Sequence, residues 1–210
     1  MDQILYAVGA SFKNVGGNTN QGMVFMFNDH SFLPNFYDST AIASDGNASD
    51  FFGNSMSFDP MNTGYIAIGA YNKENGANAT QGQVYLFKDT ATGTGTKFWK
   101  QIDKFTAPDG VAGDHFGSCV DWQGLDLLIG ASNRDETVTD AGAVYVFKKI
   151  PFQEGGFRFQ KKITDAVPQA SQMMGKAISH DATKYVFGLP DWDAPLKIDG
   201  GRIMIGNIYQ

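Results

Sequence analysis

Residues 130–147 read GASNRDETVTDAGAVYVF, and residues 69–87 read GAYNKENGANATQGQVYLF: a Gly-Ala pair, a polar stretch and a Gly-x-Val-Tyr-x-Phe run follow one another in the same order. The glycine that opens the last run recurs as Gly22, Gly82, Gly142 and Gly201, at intervals of 60, 60 and 59 residues. A fixed period of this length marks one supersecondary unit copied along the chain. Upstream of each glycine lies an apolar run, ILYAVGA to Ala10, YIAIGA to Ala70, LDLLIGA to Ala131 and KYVFGLP to Pro190. Further upstream come Phe52-Gly53 in FFGNSMSF, Phe116-Gly117 in HFGSCVD and Met174-Gly175 in MMGKAIS. Between copies stand FLPNFYDST, FWKQIDKFT and FRFQKKIT, which alternate apolar with polar residues as half-exposed strands do. Each period therefore holds four short strands, named A (Phe-Gly), B (Gly-Ala), C (GxVYxF) and D in chain order.

Four short strands make a sheet too small to bury both faces, so each unit needs neighbours. The predicted fold is all-β. Tyr85, Phe87, Tyr145 and Phe147 are expected to fill the space between units rather than to hold a ligand. The chain starts at a B strand and ends at a C strand, so fourteen strands are expected in groups of three, four, four and three. Approximate repeat boundaries are 1–40, 41–106, 107–164 and 165–210 within one domain.

Phe-Gly followed at this distance by Gly-Ala and then by GxVYxF resembles the FG-GAP repeat of integrin-α-like β-propellers. The most specific part of the match is DGNASDFFG at Asp45–Gly53 beside DGVAGDHFG at Asp109–Gly117; the third copy, VPQASQMMG, lacks both acids. The resemblance covers nearly the whole chain. It implies β-propeller blades of four antiparallel strands, about three and a half FG-GAP-type repeats, with the Phe-Gly strand innermost. It also implies that calcium loops of the DxDxDG kind be sought between strands A and B. The segments beginning at Asp59, Asp121 and Asp181 keep a first acid without the closely spaced oxygens Ca²⁺ requires, so no metal and no cofactor is expected. The acids of the two DGxAxD turns are expected to accept backbone N–H groups.

Composition narrows the partners. With 16 Lys and Arg against 22 Asp and Glu the formal net charge is −6, which argues against a nucleic-acid or anionic-membrane surface. A single cysteine, Cys119, excludes an intrachain disulfide framework. No apolar run approaches the ~18 residues of a membrane span, so no membrane insertion is expected. The N-terminal MDQILYAVGASF lacks the basic leader and cleavage pattern of a signal peptide. His30, His115 and His180 belong to no nucleophile or metal motif, so no enzyme activity is expected.

Alternation places the B–C and D–A connections on one face. The B–C connections are longer than a plain hairpin needs, and excess length on one rim is where binding resides. Candidate ligand-binding residues there are Asn133, Arg134 and Asp135, and separately Asp191, Trp192 and Asp193. An aromatic flanked by carboxylates can stack a sugar face or a partner side chain while the acids accept hydrogen bonds; the same residues can equally close turns and cover a blade edge. Two readings follow: a binding or adhesion module for a glycan or protein ligand, and a structural or assembly protein of a virion or surface appendage. Both place the chain outside the cell or on a virion surface, and both leave room for other subunits, either further copies or a neighbouring chain.

Overall fold

The computed structural model describes residues 5–28, 39–61, 63–90, 98–181, 183–193 and 200–208, and these contain fourteen β-strands and no helix. The first sheet is β1 (Leu5–Ala10), β2 (Met23–Asn28) and β3 (Ser39–Ala41). The second is β4 (Met56–Phe58), β5 (Tyr65–Ala70), β6 (Gln83–Asp89) and β7 (Trp99–Phe105). The third is β8 (Phe116–Gln123), β9 (Asp126–Ala131), β10 (Ala143–Lys149) and β11 (Phe157–Ile163), and the fourth is β12 (Ala177–His180), β13 (Lys184–Leu189) and β14 (Arg202–Asn207). Every sheet is an antiparallel meander in chain order. The edge strands β4, β8 and β12 pack on one another in turn, which puts the Phe-Gly strands on the inner side of the blades.

Strand alternation gives each blade two different faces. In the second blade Val84 and Leu86 point forward into the third, joining Tyr145, Phe147, Leu127 and Ile129 in one core, while Tyr85 and Phe87 point back to Val24 and Met26 of the first. Val144 and Val146 repeat the forward role against Phe187 and Leu189. Each joint is thus a Val-x-Leu-like face set against an aromatic and branched face. Phe116 lies edge-on to Tyr145 with ring centroids 5.5 Å apart, and Phe52 to Tyr85 at the same 5.5 Å.

Backbone geometry repeats with the sequence. The Phe52 N–H donates to the Gln21 carbonyl at 2.9 Å, Phe116 to Gln81 at 2.8 Å and Met174 to Ala141 at 3.1 Å, stitching each blade to the one before it. A Cβ at Gly69 would lie 2.2 Å from the Gly117 carbonyl oxygen, and one at Gly82 would lie 2.0 Å from that of Phe116. The glycines of Gly-Ala and GxVYxF are therefore the seat on which the next blade's Phe-Gly backbone rests; a side chain there occupies the place of a carbonyl. A register shift between Leu86 and Phe87 recurs between Val146 and Phe147, bending both complete sheets at the same point.

β4 follows Phe52-Gly53: Phe51 and Gly53 both take positive φ, 55° and 88°, and Phe52 bridges to Gly22 of the preceding blade. One detail differs from the sequence reading. Asp121 is not the counterpart of Asp59. It lies inside β8, where Trp122 pairs with Leu127 as Phe58 pairs with Ile66, so the residue matching Asp59 is Gln123. Most of FLPNFYDST, together with His30 and most of the 90–97 connection, falls outside the described residues. Among those described, no core cluster joins the first blade to the fourth, and the sheets are not closed into a barrel.

Candidate functional site

The B–C and D–A connections interleave on one rim. In the first joint Ser49 and Phe51 donate backbone N–H groups to the Thr19 and Asn20 carbonyls; in the second Gly113 and His115 do so to Ala79 and Thr80, and in the third Ser171 and Met173 to Thr139 and Asp140. Asn18 Nδ2 reaches the Gly46 carbonyl at 3.0 Å and Asn78 Nδ2 that of Gly110 at 3.4 Å. A Cβ on Gly46 or Gly110 would strike the side chain of Gln21 or Gln81, which explains the glycine of each DGxAxD turn.

The acids of those turns are internal anchors. Asp50 accepts from the Asn47 N–H at 2.6 Å and Asp114 from the Val111 N–H at 2.8 Å, as expected of turn-closing carboxylates. Each also holds a cation from its own blade's B–C loop: Lys73 Nζ stands 3.1 Å from Asp50 and Arg134 Nη1 3.0 Å from Asp114. The first acids accept the tyrosine hydroxyls of strand C, Tyr85 to Asp45 at 2.9 Å and Tyr145 to Asp109 at 2.8 Å. Lys104 and Lys162 of strand D complete them at 2.6 and 2.8 Å. Burial works against ionising Asp45 and Asp109, but the lysine and tyrosine partners outweigh it and hold both carboxyls below the ordinary value. Asp114 goes the other way: burial raises it despite the Val111 N–H and Arg134. Burial, with the neighbouring aspartates, pushes both tyrosine hydroxyls up.

The fourth blade replaces this set as a unit. Trp192 N–H donates to the Leu189 carbonyl and its own carbonyl accepts from Gly201, the same frame that carries Lys73 between Ala70 and Gly82 and Arg134 between Ala131 and Gly142. Trp192 therefore occupies the position of the cation. Gln172, fully buried, takes the place of Asp50 and Asp114 and accepts from the Gln169 N–H at 3.0 Å. Met204 stands where Tyr85 and Tyr145 carry their hydroxyls. Cation, acids and hydroxyl are lost together because each is unsatisfied without the others.

The six residues singled out from sequence all lie on this rim, in two separate loops. Arg134 is committed to Asp109, Asp114 and Glu136. Asn133 accepts from Ser132 and donates to Asp140 at 3.1 Å, and Asp135 accepts the Asp140 N–H at 2.8 Å while remaining exposed. The Trp192 ring packs on the third core and carries the Arg202 guanidinium 5.1 Å above its centroid. Asp193 is exposed and its backbone exchanges two hydrogen bonds with the Gln169 side chain, while Asp191 is half-buried.

A second rim feature went unread in the sequence. Phe12, Phe51, Tyr71 and His115 form a row of ring contacts across two joints, with centroid separations of 5.2, 5.3 and 5.2 Å; the middle pair is stacked within 5° of parallel. Phe12 is 71% exposed and the other three are half-buried. His115 Nδ1 meets Asn133 Oδ1 at 2.8 Å, so hydrogen bonds continue the row through Asn133 and Asp140 to Asp135. The signal present in the sequence was a ring within two residues of the first two Gly-Ala pairs, Phe12 and Tyr71, and a ring directly before the two Phe-Gly pairs, Phe51 and His115.

On the opposite face the A–B turns close themselves. Asp59 accepts from the Met61 N–H and Thr63, and pairs with Lys149 at 2.8 Å; Asp181 accepts from the Thr183 and Lys184 N–H groups, which lower its carboxyl to about 2. Asp121 holds the backbone N–H and Nδ1 of buried His180 at 2.7 and 2.8 Å. Among the described residues no cluster of three His, Cys, Asp or Glu is placed to hold a metal. Burial pushes the Cys119 thiol up, the opposite of an activated nucleophile.

Repeated three- and four-stranded meanders joined through glycine seats, with long connections gathered on one rim, define a β-propeller-type repeat protein. The family model for the FG-GAP repeat matches residues 38–87 and 99–147, each span covering a DGxAxD turn, its Phe-Gly strand and the following B and C strands. The chain thus carries FG-GAP repeats, which indicate a β-propeller-type module of a kind that is commonly a binding unit. No curated protein matches the sequence.

Proposed function

We propose that the chain is a non-enzymatic binding or adhesion module that recognises a glycan or a protein through its B–C rim. The observation that supports this most directly is the row Phe12–Phe51–Tyr71–His115, a semi-exposed aromatic platform continued by hydrogen bonds to the exposed carboxylate of Asp135. Stacked rings take the apolar face of a sugar or an apolar side chain, and adjoining acids take its hydroxyls or N–H groups. Asp193 lies on the same rim, beside the third joint. Screening the full chain on a glycan array and by affinity capture identifies the ligand. Phe12→Ala and Asp135→Ala then weaken binding, by about 1–3 kcal/mol for a hot-spot ring, at unchanged melting temperature. Trp192→Ala weakens binding and also costs stability, because its ring belongs to the third core. A ligand held only by the A–B turn face overturns the reading.

A structural or assembly role, in a virion or a surface appendage, is favoured by a different observation: both end blades expose apolar residues. Tyr6 and Val8 are each 54% exposed on the first blade, and Ile203 and Ile205 are 67% and 68% exposed on the last. Either role belongs at an extracellular or virion surface.

A further inference from the structure

We propose that the outer face of the fourth blade is a socket for the apolar-Gly inner strand of a further blade, supplied from outside residues 1–210. An open groove of about 740 Å³ runs along this face between Lys176, Ala177, Gly188, Gly201, Arg202 and Ile203. Its two glycines hold the register of the glycine seats. Gly188 pairs with Ile203 as Gly69 pairs with Val84 and Gly130 with Val144, and Gly201 donates to Trp192 as Gly82 does to Lys73 and Gly142 to Arg134. At the internal joints the seat is filled: a Cβ at Gly9, Gly69 or Gly130 would lie 2.0, 2.2 or 2.0 Å from the carbonyl oxygen of Gly53, Gly117 or Gly175. At Gly188 the nearest atom to such a Cβ is the Ala177 Cβ at 3.3 Å, and at Gly201 it is the Pro190 carbonyl oxygen at 3.2 Å, both within the fourth blade.

The flanking side chains agree. Val186, Ile203 and Ile205 are 40%, 67% and 68% exposed, whereas their counterparts Ala67, Val84 and Leu86, and Leu128, Val144 and Val146, are buried against the next blade. The occupant therefore presents an aromatic or Met followed by Gly, backed by a sheet face like that of Leu127, Ile129, Tyr145 and Phe147. A second copy of this chain does not meet that description. Its Phe52, Phe116 and Met174 are each fully buried in their own joints. The proposal draws on the assembly reading but stands apart from the aromatic rim, since it concerns one blade face.

The probe is a peptide of residues 109–123, DGVAGDHFGSCVDWQ, which carries the chain's own second Phe-Gly strand. Titrated into the ¹⁵N-labelled full chain, it shifts the amides of Gly188, Gly201, Arg202 and Ile203 and leaves those of β5 and β6 in place. A Gly117→Val peptide, unable to seat, produces no such shifts. Gly188→Val in the chain fills the seat and weakens binding at least tenfold; Ile203→Asp, at an exposed position, does the same should the valine variant fail to fold. Absence of shifts at millimolar peptide, equal shifts with the Gly117→Val peptide, or concentration-dependent burial of these amides by a second copy overturns the proposal. Light scattering on the chain alone reports separately on self-assembly, so failure of the assembly reading and failure of the socket are distinguishable.

Discussion

Lys73 and Asp50 are both buried and stand 3.1 Å apart, so removing one leaves the other charged and unpaired in the joint. Lys73→Met is expected to cost about 3–5 kcal/mol. Adding Asp50→Gln recovers most of that, because the fourth blade already pairs an uncharged ring at Trp192 with Gln172. Urea denaturation of the two variants measures both, and a double variant no more stable than Lys73→Met shows that the pair is not replaced as a unit. Tyr145→Phe removes one hydroxyl from Asp109, which keeps Lys162, and costs about 1 kcal/mol. Acid acts on the same anchors. Asp45 and Asp109 have folded values below the ordinary carboxylate value, so their stabilisation is fully present above about pH 4 and is lost as pH falls through the lower folded value. Asp114 has the opposite sign and regains stability as it protonates. The urea midpoint is therefore expected to fall below pH 4, less steeply in Asp45→Asn and Asp109→Asn; equal slopes in all three proteins contradict the assignment. Asp50 and Asp114 were legible as turn closers from their spacing, whereas Asp45 and Asp109, read the same way, accept tyrosine hydroxyls and lysines instead. Their lysine, arginine and tyrosine partners were not legible, since these lie 20 to 59 residues away in strands and loops that only the fold brings together.

Strand existence and order were readable because the repeat supplied two or three internal comparisons for each element. Strand bounds were less so, and the misplacement of Asp121 shows why. Apolar-polar alternation alone does not count residues through a segment such as Phe116–Val120, where the pairing with β9 shifts register. The glycines separate by context in the same way. Gly69→Ala puts a Cβ against the Gly117 carbonyl oxygen, whereas Gly188→Ala, at the matching place in the fourth blade, meets the Ala177 Cβ at 3.3 Å, a tight contact that a shift of a few tenths of an ångström relieves. Thermal unfolding is expected to show a large loss for Gly69→Ala, since backbone must move, and a clearly smaller change for Gly188→Ala, where one Cβ contact must relax. Equal losses at the two positions would mean that the fourth-blade seat is already occupied.

On the scale of the molecule, blades that touch only their neighbours make stability a sum of blade and joint contributions. The second and third blades each have a joint on both sides, and β5 and β9 are buried along their whole length. The fourth has one joint, and β14 alternates half-buried with exposed residues. The two functional hypotheses sit on different parts of this arc, the aromatic row over its first two joints and the socket at its far end, so each can be disabled without the other. The same hydrophobic pattern must then carry different weight along the chain. Val144 and Ile203 begin equivalent Val-x-Leu-like faces, yet Val144 is buried against Phe187 and Leu189 while Ile203 is 67% exposed. Val144→Asp buries an unpaired carboxylate in the third core and is expected to unfold the fourth blade from the third. Ile203→Asp with Ile205→Asp leaves the melting temperature within a few degrees of the parent. Hydrogen exchange reads the difference directly: amides of β13 and β14 lose protection in the Val144 variant and keep it in the Ile203, Ile205 variant. Loss of protection in both would require a contact on the outer face of β14 that holds the fourth blade in place.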